Sequence, residues 1–238
     1  MFFVFSWLQY SSREMDTFFL LDVDNTLLDN DAVLADLKHH LIEAFGAESA
    51  RRYWDIFEQL RDELGYADYL GALQRYRIER PRDTNLLEMS LYLTNYPFAD
   101  RLYPGALELI QHLRARAGVA ILSDGDVVFQ PRKVERSGLW RAVEGQVLIY
   151  IHKEQMLDDV ERRCPARSYV MVDDKLRILS AMKHIWRDRL TTVFVRQGHY
   201  AHDPAIVEEY PRADVTVERI ADLIAHPIAN RAPAELPI

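Results

Sequence analysis

A chain of 238 residues with 49% hydrophobic and 28% charged side chains has the balance of a folded globular protein, and its length fits one domain with a sizeable insertion or two domains. The formal net charge of −8 excludes nucleic-acid binding by general electrostatics, which needs a basic footprint, yet leaves room for a small anionic ligand held by a local group of Lys and Arg. One cysteine, Cys164, excludes an internal disulfide and a CxxC zinc site and fits a reducing, cytoplasmic setting.

In chain order, residues 1–16 begin Met1-Phe2-Phe3-Val4-Phe5-Ser6-Trp7-Leu8, a run too short to cross a bilayer and with no basic segment before it; they read as an N-terminal extension. No later run reads as transmembrane, so no membrane partner is expected. Phe18-Phe19-Leu20-Leu21 reads as a buried parallel strand, and it runs straight into Asp22-Val23-Asp24-Asn25-Thr26. If the strand stays extended, Asp22 and Asp24 point to the same side. Two like charges so close need a cation or a proton, which suggests metal chemistry, acid/base chemistry or both; a helix cap rich in Asp, Asn and Thr is the alternative.

The pattern then turns helical. Val33, Leu34, Leu37, Leu41 and Phe45 recur at helical spacing before Gly46; Tyr53, Phe57, Leu60 and Leu64 do so before Gly65. A third helix carries Tyr69, Leu70, Leu73 and Tyr76, and a fourth covers Leu86 to Leu93. No β-like run interrupts this stretch. Pro104-Gly105 opens a helix whose apolar face is Leu107, Ile110 and Leu113. The strand Val119–Leu122 ends in Ser123-Asp124-Gly125-Asp126, and a helix follows over about Pro131 to Ser137. Val147–Ile151 is a strand ending near His152-Lys153, and Met156–Cys164 is a helix. Ser168–Val172 is a strand ending in Asp173-Asp174-Lys175, with a helix through Leu179 and Met182 behind it. Thr191–Val195 and Ala213–Val217 complete the strands, and the Pro- and Ala-rich tail 226–238 has no core pattern.

Strands alternating with helices predict an α/β fold, a Rossmann-like parallel sheet covered on both faces, with an inserted all-helical cap subdomain. The core takes residues 17–30 and 99–225, and the cap 31–98. Strand tips in such a sheet share one edge, so Asp22, Asp24, Ser123, Lys153, Asp173 and Asp174 are expected to meet there. Chemistry-bearing residues at four separate strand ends are not what turn formation alone would produce.

In these residues the chain resembles the haloacid dehalogenase superfamily, mostly phosphatases, from about Phe18 to Leu223. The DxDxT motif is Asp22-Val23-Asp24-Asn25-Thr26, the Ser/Thr at a strand tip is Ser123, the lone Lys is Lys153 and the acidic pair is Asp173-Asp174. The resemblance implies a Mg²⁺-dependent phosphatase that hydrolyses a small-molecule phosphate ester through an aspartyl phosphate. Asp22 is then the nucleophile, and Asp24 protonates the leaving oxygen before taking a proton from the attacking water. Lys153 pairs with Asp22 and the phosphoryl group, Ser123 hydrogen-bonds a phosphoryl oxygen, and backbone N–H groups near Asp124 and Gly125 complete a substrate-binding pocket that also includes Asn25 and Thr26. The metal ligands implied are the Asp22 carboxylate, the backbone carbonyl of Asp24 and Asp174, with Asp173 in reach or behind them.

Position 25 is commonly Gly in the family and is Asn here, a residue that enters the left-handed region readily. The acidic pair replaces a common Gly-Asp, and Ile178 stands where a later Asp is often found. Lys133 competes with Lys153, but its helix is expected to turn it away from the strand tips. The cap resembles the family's helical lid, hinged near Leu28 to Asp31 and Phe98 to Tyr103. Its Arg75, Arg77, Arg80 and Arg82 are expected on a solvated face, and Tyr66, Tyr69 and Tyr76 in the core.

A 2-haloacid dehalogenase, a phosphomutase and a catalytically silent phosphate-binding module are the alternatives. Asp24 speaks against the first, because a departing halide needs no proton and the family's dehalogenases lack an acid there. The chain is expected as a monomer or a homodimer.

Overall fold

The computed structural model describes residues 15–230. Six parallel strands form one sheet in the order β3-β2-β1-β4-β5-β6. The chain opens with β1 (Met15–Leu21) and passes through four helices, α1 (Asn30–Phe45), α2 (Ala47–Leu64), α3 (Tyr69–Glu79) and α4 (Leu86–Asn95). It returns through α5 (Ala106–Arg114), β2 (Gly118–Asp124), α6 (Phe129–Arg136), α7 (Leu139–Ala142) and β3 (Val147–Tyr150). Then come α8 (Leu157–Arg163), β4 (Ala166–Asp173), α9 (Leu176–Trp186), β5 (Leu190–Val195), α10 (Gly198–His202), α11 (Pro204–Glu209) and β6 (Val215–Val217).

Strand alternation explains the layers. Phe19, Leu21, Val119, Ile121, Val170 and Val172 face one side and join Leu109, Ile110, Leu113 and Val134 of α5 and α6. Phe18, Leu20, Ala120, Leu122 and Met171 face the other and join Leu157, Val160, Leu179, Met182 and Trp186 of α8 and α9. Both faces are therefore buried, which is why the strands read as continuous apolar runs.

Several boundaries differ from the sequence reading. Met15 and Asp16 belong to β1, where Met15 pairs with Ala166, so only 1–14 of the expected extension lie outside the described residues. On α5, Leu107 is exposed and Leu109 takes its place, since the helix starts at Ala106 and buries the 106/109/110/113 stripe. Of the expected tail, Pro227–Asn230 form a 3-10 turn that buries Ile228 and Ala229, and Asn230 Oδ1 lies 3.0 Å from His112 Nε2; residues 231–238 lie outside the described residues. A short apolar pair within a polar stretch was sufficient to dock this turn on α5.

The two crossings between the sheet and helices α1–α4 run side by side. Leu28 and Leu102 form an antiparallel bridge, Asp29 N–H donates to Arg101 O at 2.8 Å and Tyr103 N–H to Leu27 O at 2.9 Å. Among the described residues, no helix is long and apolar enough to cross a membrane.

Candidate active site

After β1 the chain moves to β2 on one side, and only later places β4 on the other. This reversal opens a crevice at the carboxyl ends of the strands, where parallel sheets of this type bind ligands. Asp22 is the first residue past β1, and its N–H still donates to Val172 O of β4 at 3.0 Å. Asp22 and Asp173 are thereby held at the same level of the sheet.

The Asp22 carboxylate is almost fully enclosed, and its environment sets its proton affinity. Burial pushes its pKa up to about 7, against the Lys153 ammonium, which lowers it. Lys153 Nζ lies 2.5 Å from Asp22 Oδ1, 2.7 Å from Asp173 Oδ2 and 3.3 Å from Leu122 O. Burial opposes the lysine's charge, but the carboxylates of Asp173, Asp22 and Asp124 outweigh it and hold the ammonium protonated. Lys153 stands on the 3-10 turn after β3, which brings it to these two carboxylates.

Asp174 is different. It is 1% exposed, and among the described residues neither of its carboxylate oxygens has a hydrogen-bond partner. Burial first, then the neighbouring Asp173 and Asp22, raise its pKa well above the usual carboxylate range, with Lys175 opposing. One oxygen each of Asp22, Asp173 and Asp174 lie within 4.8 Å of one another. An orphaned buried carboxylate beside two others is a donor set that fits a hard divalent cation, which accepts a few carboxylates and retains waters. Asp24 stands outside this cluster as far as its side chain is concerned, so its expected share in a metal site is restricted to its backbone carbonyl. Half-buried Lys175 sets its ammonium 5.2 Å from the Tyr200 ring centroid.

The carboxylate of Asp24 is held by α6, contrary to the sequence expectation for that helix. Lys133 Nζ lies 2.6 Å from Asp24 Oδ1 and 2.9 Å from Asn30 Oδ1, and the lysine is 1% exposed. Gln130 Nε2 donates to Asp24 Oδ2 at 3.2 Å and to Ser123 Oγ at 3.0 Å. Lys133 therefore faces the strand tips, because α6 begins at Phe129, where Asp126 Oδ1 accepts the N–H groups of Val128 and Phe129. Gly125 permits this approach: a Cβ there would sit 2.6 Å from Gln130 Cβ. Gln130 was missed in the sequence; its signal was a polar residue three before a lysine on the same helix face.

Four further residues expected around the substrate hold the loops of the site. Asn25, at φ 60°, accepts the N–H groups of Asn30 and Asp31 on Oδ1 at 3.0 and 3.2 Å and donates Nδ2 to Asp31 Oδ1 at 3.1 Å, so it fastens the start of α1. It packs so tightly on Gly198 that a Cβ there would lie 2.4 Å from Asn25 Cβ. The Thr26 hydroxyl donates to Asp22 Oδ2 at 3.2 Å and orients that carboxylate. Asp124 Oδ1 accepts the Lys153 N–H at 2.7 Å, and the Gly125 N–H is spent on Tyr150 O at 2.9 Å. These bonds share one effect: polar groups of the loops at the strand tips hold the catalytic candidates in place.

Helices α1–α4 stand over this edge. The Tyr69 ring on α3 lies 4.8 Å from the Phe129 ring on α6, and Arg61 Nη2 on α2 donates to Tyr200 Oη at 3.1 Å. Tyr69 and Tyr76 are buried and Tyr66 half-buried. Arg75 pairs with Glu63 at 2.7 Å and Arg80 reaches Glu48 at 4.0 Å, while Arg77 and Arg82 are likewise exposed, as the sequence reading expected of a solvated face.

Comparison with known proteins agrees with this geometry. The family model for haloacid dehalogenase-like hydrolases matches residues 18–185. A haloacid dehalogenase-like hydrolase from Burkholderia xenovorans LB400 is 68% identical, with a TM-score of 0.85 over 89% of this chain and 99% of that one. Two more distant structures share the fold at 17% identity. The L-2-haloacid dehalogenase of Xanthobacter autotrophicus has a TM-score of 0.59 over 89% of this chain and 98% of that one. The HAD-hydrolase YfnB of Bacillus subtilis, bound to magnesium, has a TM-score of 0.58 over 92% and 100%. No curated protein matches the chain. With 18–185 covered by the family model and the motif residues gathered at the tips of β1, β2 and β4 and the turn after β3, this chain belongs to the haloacid dehalogenase-like hydrolase family.

Proposed function

We propose that this hydrolase is a Mg²⁺-dependent phosphatase that cleaves a small phosphomonoester through a phosphoryl group carried on Asp22. The observation that carries the reading is Asp24: a second carboxylate two residues beyond the nucleophile, held next to Ser123 by Lys133 and Gln130. Displacing an alkoxide requires a proton donor, whereas displacing a halide does not.

Asp22 attacks phosphorus with one carboxylate oxygen, forming an O–P bond as the ester O–P bond breaks, and the Asp24 carboxyl proton passes to the leaving oxygen. A water then attacks the same phosphorus, giving its proton to Asp24 while the bond to Asp22 breaks and that carboxylate is restored. Lys153 beside Asp22 offsets negative charge as the anionic ester approaches. Ser123 Oγ, which accepts from Gln130, would hydrogen-bond a phosphoryl oxygen. Thr26 fixes the free oxygen of Asp22. Asp22, Asp174 and Asp173, with the backbone carbonyl of Asp24, would hold Mg²⁺, which when bound screens the charge between nucleophile and phosphate. Helices α1–α4 above the edge exclude bulk water and so favour a small substrate.

Phosphate release from 4-nitrophenyl phosphate that requires Mg²⁺, stops with EDTA and is lost in Asp22→Asn is the expected result. Chloride release from a 2-haloacid without phosphate release would overturn the proposal in favour of dehalogenation; transfer of phosphate between sugar positions would do so in favour of a mutase.

A further inference from the structure

We infer that Lys133 and Gln130 are positioning residues for Asp24: Lys133 fastens Oδ1, and Gln130 orients Oδ2, the oxygen that delivers the proton to the leaving oxygen. The inference rests on the phosphatase reading above.

The two oxygens of Asp24 are not equivalent. Oδ1 takes a charge-assisted bond of 2.6 Å from the Lys133 ammonium, and Oδ2 has a single longer contact, 3.2 Å, from Gln130 Nε2. An oxygen committed to an ammonium is a poor place for a transferable proton; the other, on the Ser123 side, is the suitable one. Gln130 donates to Ser123 Oγ as well, at 3.0 Å, so one amide aligns the acid/base carboxylate with the expected phosphoryl contact.

Lys133 is itself constrained. Its ammonium is buried, and an unpaired buried ammonium is costly, so the bonds to Asp24 and Asn30 hold it in one place. Gln130 and Lys133 are three residues apart on α6 and share one face. The close approach of that face to Gly125 fixes the helix against the β2 tip. Asn30 is the first residue of α1, so the same ammonium that anchors Asp24 also contacts the start of the helical insertion. A lysine serving only the fold would not need to end on the one carboxylate that must transfer protons.

The test compares kcat/KM, in the presence of Mg²⁺, for two esters of similar shape and different leaving group: 4-nitrophenyl phosphate, whose phenolate departs with little assistance, and benzyl phosphate, whose alkoxide needs a proton. Asp24→Asn sets the scale of discrimination. Lys133→Met is expected to lower kcat/KM for benzyl phosphate at least about tenfold more than for 4-nitrophenyl phosphate. Lys133→Arg should recover part of that ratio. The ratio is measured on one sample and is independent of the folded fraction. Should Lys133→Met fail to fold, Gln130→Met carries the same expectation in smaller measure.

Equal loss on both esters in the variants, with Asp24→Asn discriminating between them, would overturn this inference and leave the phosphatase reading intact. Phosphate release from neither ester by the unmodified enzyme would overturn both.

Discussion

The Lys153 ammonium lies 2.5 Å from the Asp22 carboxylate, although the two residues are 131 positions apart in the chain. The same ammonium lies 2.7 Å from Asp173, so one buried cation serves two buried carboxylates at the ends of the adjacent strands β1 and β4. Lys153→Met removes that cation and leaves both carboxylates enclosed. Stability is expected to fall by about 3–5 kcal/mol, the usual consequence of breaking one side of a buried ion pair, and phosphate release by about two orders of magnitude or more. Adding Asp173→Asn should return part of the stability and none of the activity. Urea unfolding and phosphate release measured on the three proteins decide it; an unchanged unfolding midpoint in Lys153→Met would refute the pairing.

Asp174 presents the reverse case, a buried carboxylate with no hydrogen-bond partner among the described residues. Asp174→Asn removes a carboxyl that burial and its acidic neighbours force to take up a proton on folding, so the metal-free protein is expected to gain about 1–3 kcal/mol at neutral pH. The rise in melting temperature that Mg²⁺ produces should shrink or vanish in the variant. Thermal melts in EDTA and in Mg²⁺ check both halves, and an undiminished Mg²⁺ response would remove Asp174 from the metal site.

The raised pKa of Asp22 has a stability consequence of defined sign. Its carboxyl titrates near 3.8 when unperturbed and about 7 in the folded protein, chiefly because burial disfavours the charge. Between those values the folded state binds the extra proton, so the contribution of Asp22 falls as pH rises through that window, by an amount on the order of 4 kcal/mol at most. In EDTA, the melting temperature of Asp22→Asn minus that of the unmodified protein is therefore expected to grow from pH 5 to pH 8. A difference that stays constant over that range would contradict the assigned shift.

Much of this site was legible in the sequence because each element announces itself locally. Phe18–Leu21 and Val119–Leu122 read as buried strands and form the carboxyl-terminal half of β1 and the centre of β2, and the glycines at 46 and 65 mark the ends of α1 and α2. Asp22, Ser123, Lys153 and Asp173-Asp174 could be picked out since each follows an apolar run. Lys133 was misread for a geometric reason. Its orientation depends on where α6 begins and how closely Gly125 lets it approach, and a two-residue difference in the helix start is enough to swing a side chain to another face. The internal bonds of Asn25, Thr26, Asp124 and Gly125 were not legible in the sequence, because their partners are set by how the loops at the strand tips pack.

The sequence alone determined the α/β architecture, the family and the set of residues at the strand tips, because period-two and period-3.6 hydrophobicity and the order of motifs are local properties of the chain. The Lys153–Asp22 pair was expected from the resemblance; only the tertiary structure decided that Lys153 also serves Asp173, that Lys133 holds Asp24, and that Asp174 has no hydrogen-bond partner among the described residues. Charge pairing across more than a hundred residues depends on strand register, helix start and burial acting together, and these are settled when the layers pack.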